Sequence, residues 1–315
     1  MKKILITGPL GQDGIILTKL LENKFELFGV CKMMTPIQRL NEHSKNHKIK
    51  LCLSDLTNQK SVDMLIQTIS PDIIINFAGE TNVINPWDNI SQTFEQNFKI
   101  PSNILTSIVK YNKDIFFFQS SSSLMFGRSD NHIISEVDKY DPMYPYGISK
   151  LCSHNLLNEY RKNYNIKGCS GIFFNHESSY RGEKFITKKI SKLIGKIING
   201  NPDKIKLFNL NFNRDISHAE DFMRGVEIII ENSINDDFVF SSGVSTNMLE
   251  LSEKFFKLHN LNFYDYIDYN DDMNYPNEYN LIGDCTKLKS IGWEPKYSIN
   301  DLILDMVDKE IKNII

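Results

Sequence analysis

Lys3-Ile-Leu-Ile-Thr7-Gly-Pro-Leu-Gly-Gln-Asp-Gly14 decides the fold. Its first five residues form an apolar run of strand length that stops at a glycine turn, and helical periodicity follows from Ile15 to Asn23. Glycines at positions 8, 11 and 14 give a GxxGxxG spacing. Without a Cβ, the backbone at these positions can approach a pyrophosphate, which the N-terminal end of the following helix stabilises. A strand before and a helix after are the context a dinucleotide loop requires. Gly8, Gly11, Gln12, Asp13 and Gly14 are therefore candidate cofactor contacts.

The alternation continues outward. Glu26 to Cys31 reads as a second strand, and Ile49 to Leu53 as a third, closed by Ser54-Asp-Leu56. Asp72-Ile-Ile-Ile-Asn-Phe77 is a continuous apolar run, as expected of a central parallel strand covered on both faces. Ala78-Gly79 after it lets backbone pass close to the cofactor. A helix is predicted from Thr93 to Tyr111, carrying Asn97, and Ile115 to Gln119 forms a fifth strand. It leads into Ser120-Ser-Ser-Ser-Leu-Met-Phe-Gly127. Serine runs are commonly linkers, but one entered from a buried strand and left through Phe-Gly reads as a site wall. These elements predict an α/β, Rossmann-type doubly wound parallel sheet. Beyond Gly171-Ile-Phe-Phe174 the alternation loosens, and Phe238-Val-Phe-Ser241 reads as a late strand returning to the sheet. The expected division is a dinucleotide-binding domain of residues 1–174 plus about 212–243, with a smaller C-terminal substrate-binding lobe from 175–211 and 244–315.

At the adenosine end, Lys32 follows the second strand, and no acidic residue stands there to pair with a ribose 2′-hydroxyl. Lys32 either meets a 2′-phosphate or is simply solvated. Asp55, with Leu56 beside it, either accepts from the adenine amine or caps the next helix. NAD and NADP both remain open.

Tyr146-Gly-Ile-Ser-Lys150 supplies the chemistry. In a helix the i,i+4 spacing puts phenol and ammonium on one face, about one turn apart. A free tyrosine has a pKa near ~10, and a fixed cation close by favours the phenolate. Such a tyrosine can take a proton from an alcohol while the dinucleotide accepts the hydride.

At 315 residues and 41% apolar content the chain can bury a sizeable core. A net charge of −3 and a pI near 6.2 argue against nucleic acid or a membrane surface as the main partner. The apolar opening stops at Thr7-Gly8-Pro9, too early for a signal peptide, and no run is long enough to span a bilayer. Five scattered cysteines without CxxC suit reduced thiols in a cytoplasmic protein. Basic residues gather at Arg181, Lys184, Lys188, Lys189, Lys192 and then Arg214, as a solvated helix face or a diphosphate clamp.

With these residues in place, the chain resembles the extended short-chain dehydrogenase/reductase family through Gly8 to Gly14, Tyr146 and Lys150. Within it, Gly11-Gln-Asp-Gly14, Phe174-Asn-His-Glu-Ser178, Arg181-Gly-Glu-Lys-Phe-Ile-Thr-Lys-Lys-Ile190, Asn213-Arg-Asp-Ile-Ser-His-Ala-Glu-Asp221 and Gly283-Asp-Cys-Thr-Lys287 resemble the GDP-mannose 4,6-dehydratase family. The resemblance runs to Gly292-Trp-Glu-Pro295. It implies a GDP-sugar substrate contacted by Asn175, Lys189, Arg214 and Glu278, and a homodimer or homotetramer. An arginine the family places shortly before Glu278 is missing, with Tyr275 and Pro276 there. Lys32 matches the first of two family arginines near a 2′-phosphate, and Met33 replaces the second.

Ser122 falls on the family's catalytic Ser/Thr place, with Ser123 beside it on the substrate side. Two places beyond Ser122, where the dehydratases carry the glutamate that takes the C-5 proton and helps water leave C-6, this chain has Leu124. The resemblance thus implies that oxidation at C-4 survives and elimination does not. The expected reaction is a 4-dehydrogenase acting on GDP-mannose or a manno-configured relative such as a GDP-heptose. A 4-epimerase, a 4-keto reductase, or a dehydratase using Glu80 or Glu177 instead are the alternatives.

Overall fold

Lys3–Thr7 (β1) pairs on both sides with parallel strands, Glu26–Cys31 (β2) on one and Ile73–Asn76 (β4) on the other. The structure, a computed structural model, describes residues 1–81, 87–128, 133–270 and 280–312. Ile49–Leu53 (β3), Phe116–Ser122 (β5), Gly168–Phe173 (β6) and Phe238–Phe240 (β7) complete a seven-stranded sheet of order β3-β2-β1-β4-β5-β6-β7. Every pairing in it is parallel. The order reverses between β1 and β4, which places the ligand crevice at the carboxyl ends of those strands. The doubly wound sheet read from the sequence is therefore the fold observed.

Period-two alternation sends successive residues of each central strand to opposite faces. Leu5, Ile74 and Phe117 join one buried cluster with Ile66, Ile104 and Ile108, while Ile4, Ile6, Ile75 and Phe118 join another with Leu17, Phe222 and Phe240. Each such side chain contributes about 1.5–3 kcal/mol on burial, and coverage on both faces explains why these strands read as unbroken apolar runs. A third cluster gathers Ile190, Ile194, Leu207, Ile216, Phe255, Leu302 and Met306. Around it stand a three-stranded sheet of Asn175–Glu177, Asn213–His218 and Ser245–Asn247 and a parallel pair, Ile205–Phe208 with Ile267–Asn270. No helix of the described residues is long and apolar enough to cross a membrane.

Two helices depart from the sequence reading. The first runs Gln12–Leu21, starting inside the glycine loop rather than at Ile15. The predicted helix 93–111 begins at Ile90 and contains a π-turn, Glu95–Lys99, before Ile100–Tyr111. Pro101 lacks the N–H that would bond the Asn97 carbonyl, so the ladder there must rearrange. The turn aims the buried Asn97 side chain at the Glu80 backbone, accepting from its N–H at 2.8 Å and donating to its carbonyl at 3.1 Å.

Candidate active site

The glycine loop is built for close approach. Gly8 has φ +70°, and an added Cβ would stand 3.2 Å from the Ala78 nitrogen. A Cβ on Gly14 would meet the Gly8 carbonyl oxygen at 2.4 Å and Pro9 Cα at 2.6 Å. Gly11 donates to the Gly8 carbonyl at 3.1 Å and is the N-cap of helix Gln12–Leu21 without any capping side chain. A bare helix N-terminus beside a glycine turn is a fit for a pyrophosphate. Ala78 donates its N–H to Thr7 Oγ1 at 3.0 Å, fixing the strand end that faces the loop.

Just past the end of β2, Lys32 is exposed with no acidic partner among the described residues. Asp55 is exposed and turns back on Thr57, accepting from its N–H at 2.9 Å and its hydroxyl at 2.7 Å. It does not cap the next helix: Asn58 does, accepting from the N–H groups of Lys60 and Ser61. Leu56 is buried, and its carbonyl accepts from Asn103 Nδ2 at 3.0 Å. The sequence reading missed Arg39, on the helix Ile37–Asn46. Its Nη2 donates to the Leu10 carbonyl at 2.9 Å, which brings a guanidinium onto the glycine loop. An exposed arginine on a short polar helix carries no signal that could have marked it.

Tyr146 and Lys150 lie in the first turns of the helix Pro145–Tyr164, Tyr146 at 9% and Lys150 at 4% exposure. A buried chain of hydrogen bonds crosses the strand ends to reach the lysine. Thr7 Oγ1 donates to Asn76 Oδ1 (2.6 Å), Asn76 Nδ2 to Gln119 Oε1 (2.9 Å), and Gln119 Nε2 to the Ser120 carbonyl (2.8 Å). Lys150 Nζ donates to that same carbonyl at 2.9 Å. A Cβ on Gly79 would come 3.6 Å from Nζ, so the Ala78-Gly79 backbone lies against the lysine. Ser122 ends β5, hydrogen-bonds Tyr146, and accepts from the Leu124 N–H at 3.2 Å to start a 3-10 turn, Ser123–Met125, that includes the buried Ser123. The fifth strand thus runs three residues past Gln119, where the sequence pattern ends it, and takes in Ser120, Ser121 and Ser122. Gly147 permits this packing, since a Cβ there would stand 2.4 Å from the Leu124 carbonyl oxygen.

One electrostatic expectation is corrected. Burial pushes the Tyr146 phenol above its ordinary value, outweighing the Ser122 hydrogen bond and the positive charge of Arg181, which pull it down. Lys150 Nζ stands 5.9 Å from the ring centroid and is aimed at Ser120, and burial lowers its own pKa to about 8. Both groups thus lean toward their neutral forms. A pH test follows. Below pH 8 the folded protein buries an ammonium, and the unfolded chain keeps that proton to 10.5, so the stability carried by Lys150 rises between these values. The stability advantage expected of Lys150→Met should therefore shrink from pH 8 upward in urea titrations of the cofactor-free protein. A difference independent of pH would contradict this.

Across the crevice, Asn175 opens the strand Asn175–Glu177 and is half-buried. Lys189 is exposed on the helix Ile186–Ile198, whereas Lys188 points inward to a buried ion pair with Glu310 and donates to the Ser179 carbonyl at 2.8 Å. Arg214 stacks 4.6 Å over Phe212 and donates to the Asn213 carbonyl at 2.9 Å. Glu278, Tyr275 and Pro276 lie outside the described residues. The loop and the strand are physically joined, which no sequence spacing announced. Gln12 Nε2 donates to the His176 carbonyl at 3.0 Å, Ser178 Oγ donates to Gln12 Oε1 at 2.9 Å, and His176 Nε2 meets Asp13 Oδ1 at 3.1 Å.

The carboxylates near this crevice are unequally free. Glu177 is buried and committed, accepting from Thr187 Oγ1 at 2.6 Å with Arg181 Nε at 3.0 Å. Glu80 is half-buried and held by Gln92 at 3.4 Å. Leu124, whose turn packs on Gly147 next to Tyr146, is 40% exposed and offers only methyl groups.

Residues 5–306 match the family model described as GDP-mannose 4,6 dehydratase. The chain is 32% identical over 326 residues to GDP-mannose 4,6 dehydratase 1 of Arabidopsis thaliana, covering 99% of this chain and 90% of that protein. It is 28% identical to the Homo sapiens GDP-mannose 4,6 dehydratase over 98% of this chain and 91% of that one. Among solved structures, a dTDP-glucose 4,6-dehydratase from Bacillus anthracis in complex with NAD shares the fold, with a TM-score of 0.85 at 17% identity over 99% and 97% of the two chains.

Proposed function

The chain belongs to the GDP-mannose 4,6-dehydratase family of NAD(P)-dependent enzymes, and we propose that this member oxidises C-4 of a GDP-linked manno-configured sugar and stops at the 4-keto sugar. The nicotinamide, when bound, supplies the hydride acceptor. Tyr146, as the phenolate, takes the C-4 hydroxyl proton and becomes a phenol, Ser122 orients the sugar oxygen through its hydroxyl, and Lys150, fixed by the Thr7–Asn76–Gln119–Ser120 chain, favours the phenolate beforehand through its positive charge. The glycine loop holds the pyrophosphate of the dinucleotide. Residues 175–211 and 244–315 form the nucleotide-sugar lobe, with Asn175, Lys189, Arg214 and Glu278 on the GDP-sugar. By analogy with the family, the protein works as a homodimer or homotetramer.

Leu124 carries the reading. Elimination across C-5 and C-6 needs a group that accepts the C-5 proton and returns one to the departing hydroxyl. A leucine side chain does neither. The balanced reaction is then GDP-sugar plus oxidised dinucleotide giving the 4-keto sugar, reduced dinucleotide and a proton. Mass spectrometry should find a product lighter by two hydrogens, with one reduced dinucleotide per turnover. A product lighter by water, with no net cofactor reduction, would refute the proposal.

Glu80 keeps a second reading alive, because its carboxylate has only Gln92 as a side-chain partner among the described contacts. A dehydratase using Glu80 would lose water-eliminating activity in Glu80→Gln and retain C-4 oxidation.

For the cofactor, we favour NADP. Lys32 and Arg39 place two cations by the carboxyl end of β2, and a guanidinium suits a phosphate by forked donation. Arg39→Ala should weaken NADPH binding by roughly 10-fold and leave NADH within about twofold, as expected for one charge-assisted contact. Equal losses for both, read by fluorescence titration, would remove Arg39 from that role.

A further inference from the structure

His176 sits in an unusual electrical position. Its Nδ1 lies 2.8 Å from the Phe174 carbonyl, which only accepts, and its Nε2 lies 3.1 Å from the Asp13 carboxylate, which as an anion also only accepts. Both ring nitrogens must donate, so the ring is an imidazolium. It is packed against Phe173, centroids 5.3 Å apart, and Phe222, 4.8 Å, in a buried aromatic slot. Asp13 stands in the first turn of the helix whose bare N-terminus faces the dinucleotide pyrophosphate. Uncompensated, a carboxylate there would repel that ligand; the imidazolium cancels it. The same residue belongs to the strand that starts at Asn175, and Gln12 and Ser178 brace the junction on either side.

We propose that the Asp13–His176 ion pair, braced by Gln12 and Ser178, is a positioning joint that couples the dinucleotide site to the nucleotide-sugar site, so that filling one tightens the other. This rests on the functional reading above, which puts a pyrophosphate at the glycine loop and a GDP-sugar at Asn175. The mechanism is local. A pyrophosphate that settles at the loop fixes Asp13, Asp13 fixes His176, and His176 sets the register of Asn175. Charged groups facing the imidazolium are Asp13, which favours it, and Arg181, which opposes it.

Isothermal titration with NADP+ and GDP, each alone and then in the presence of the other, tests the joint. In the unaltered protein, GDP should bind about 5-fold to 20-fold more tightly when NADP+ is present, within the usual range of coupling between sites. In His176→Gln the factor should fall to about 1, with NADP+ affinity reduced and GDP affinity alone changed by less than about threefold. Asp13→Asn combined with His176→Gln should recover NADP+ affinity, because no orphan charge remains, and should not recover the coupling. Should the His176 variant fail to fold, Ser178→Ala removes the hydroxyl that donates to Gln12 and accepts from the Tyr180 N–H, and should still lower the factor at least twofold. An undiminished factor in either variant overturns the joint and leaves the functional reading standing. Failure of the unaltered protein to bind NADP+ and GDP at all overturns that reading and the joint with it.

Discussion

Tyr146→Phe is expected to lower turnover by about 10²–10⁴-fold, the range one positioned general base contributes, while dinucleotide affinity stays within about threefold. The reason lies in the position of the ring rather than its hydroxyl. Tyr146 is buried on a helix whose glycine packs against the Leu124 turn, so phenylalanine keeps the wall intact and removes only the proton acceptor. Ser122 loses a hydrogen-bond partner and Lys150 keeps its bond to Ser120. Single-turnover measurement of cofactor reduction, with separate titration of dinucleotide binding, checks both halves. A variant that turns over normally would mean that Tyr146 only fills space, as in a dinucleotide-binding sensor without catalysis.

Glu310→Ala is expected to destabilise the protein by about 3–5 kcal/mol, the cost of leaving one member of a buried ion pair without its counter-charge. Lys188 and Glu310 are both buried, and they join the helices Ile186–Ile198 and Ile299–Lys312. Those helices touch closely, since a Cβ on Gly195 would stand 2.7 Å from Glu310 Cβ. Alanine would strand an ammonium whose remaining bond is to the Ser179 carbonyl. Replacing both ends together, Lys188→Met with Glu310→Leu, should recover most of the loss, because two apolar groups of similar volume need no pairing. Urea unfolding of the three variants separates these outcomes. A loss below about 1 kcal/mol for Glu310→Ala would place the pair among exposed bridges.

Much of this was legible in the chain. β1, β2 and β3 have the ends read from their apolar runs: β1 and β2 are largely buried, β3 has only Ile49 buried, and each is closed by a turn residue or a charge. Tyr146 and Lys150 were legible because their spacing needs only helical geometry. The first helix begins three residues before its periodic pattern does: Gln12 and Asp13 are polar and give no periodic signal, yet their backbone is already helical. The π-turn left no pattern apart from Pro101. Lys188 and Lys189 could not be told apart by composition. Their roles differ because helical phase turns one toward Glu310, more than a hundred residues away, and the other to solvent. The same distance in sequence hid the bond between Asp13 and His176. The sequence also suggested that Lys150 would acidify Tyr146, whereas burial of both groups acts the other way.

The claim on which the rest depends is that this site moves a hydride at C-4 and leaves C-5 untouched. Incubating the protein with GDP-mannose and NADP+ in deuterated water, and reading the product by proton NMR, tests it most directly. A 4-keto sugar with no deuterium at C-5 from enzymatic exchange and with C-6 still hydroxylated is the predicted result. Deuterium fixed at C-5 together with a 6-deoxy product would show that some acid in this pocket does the work Leu124 cannot, and would contradict the account.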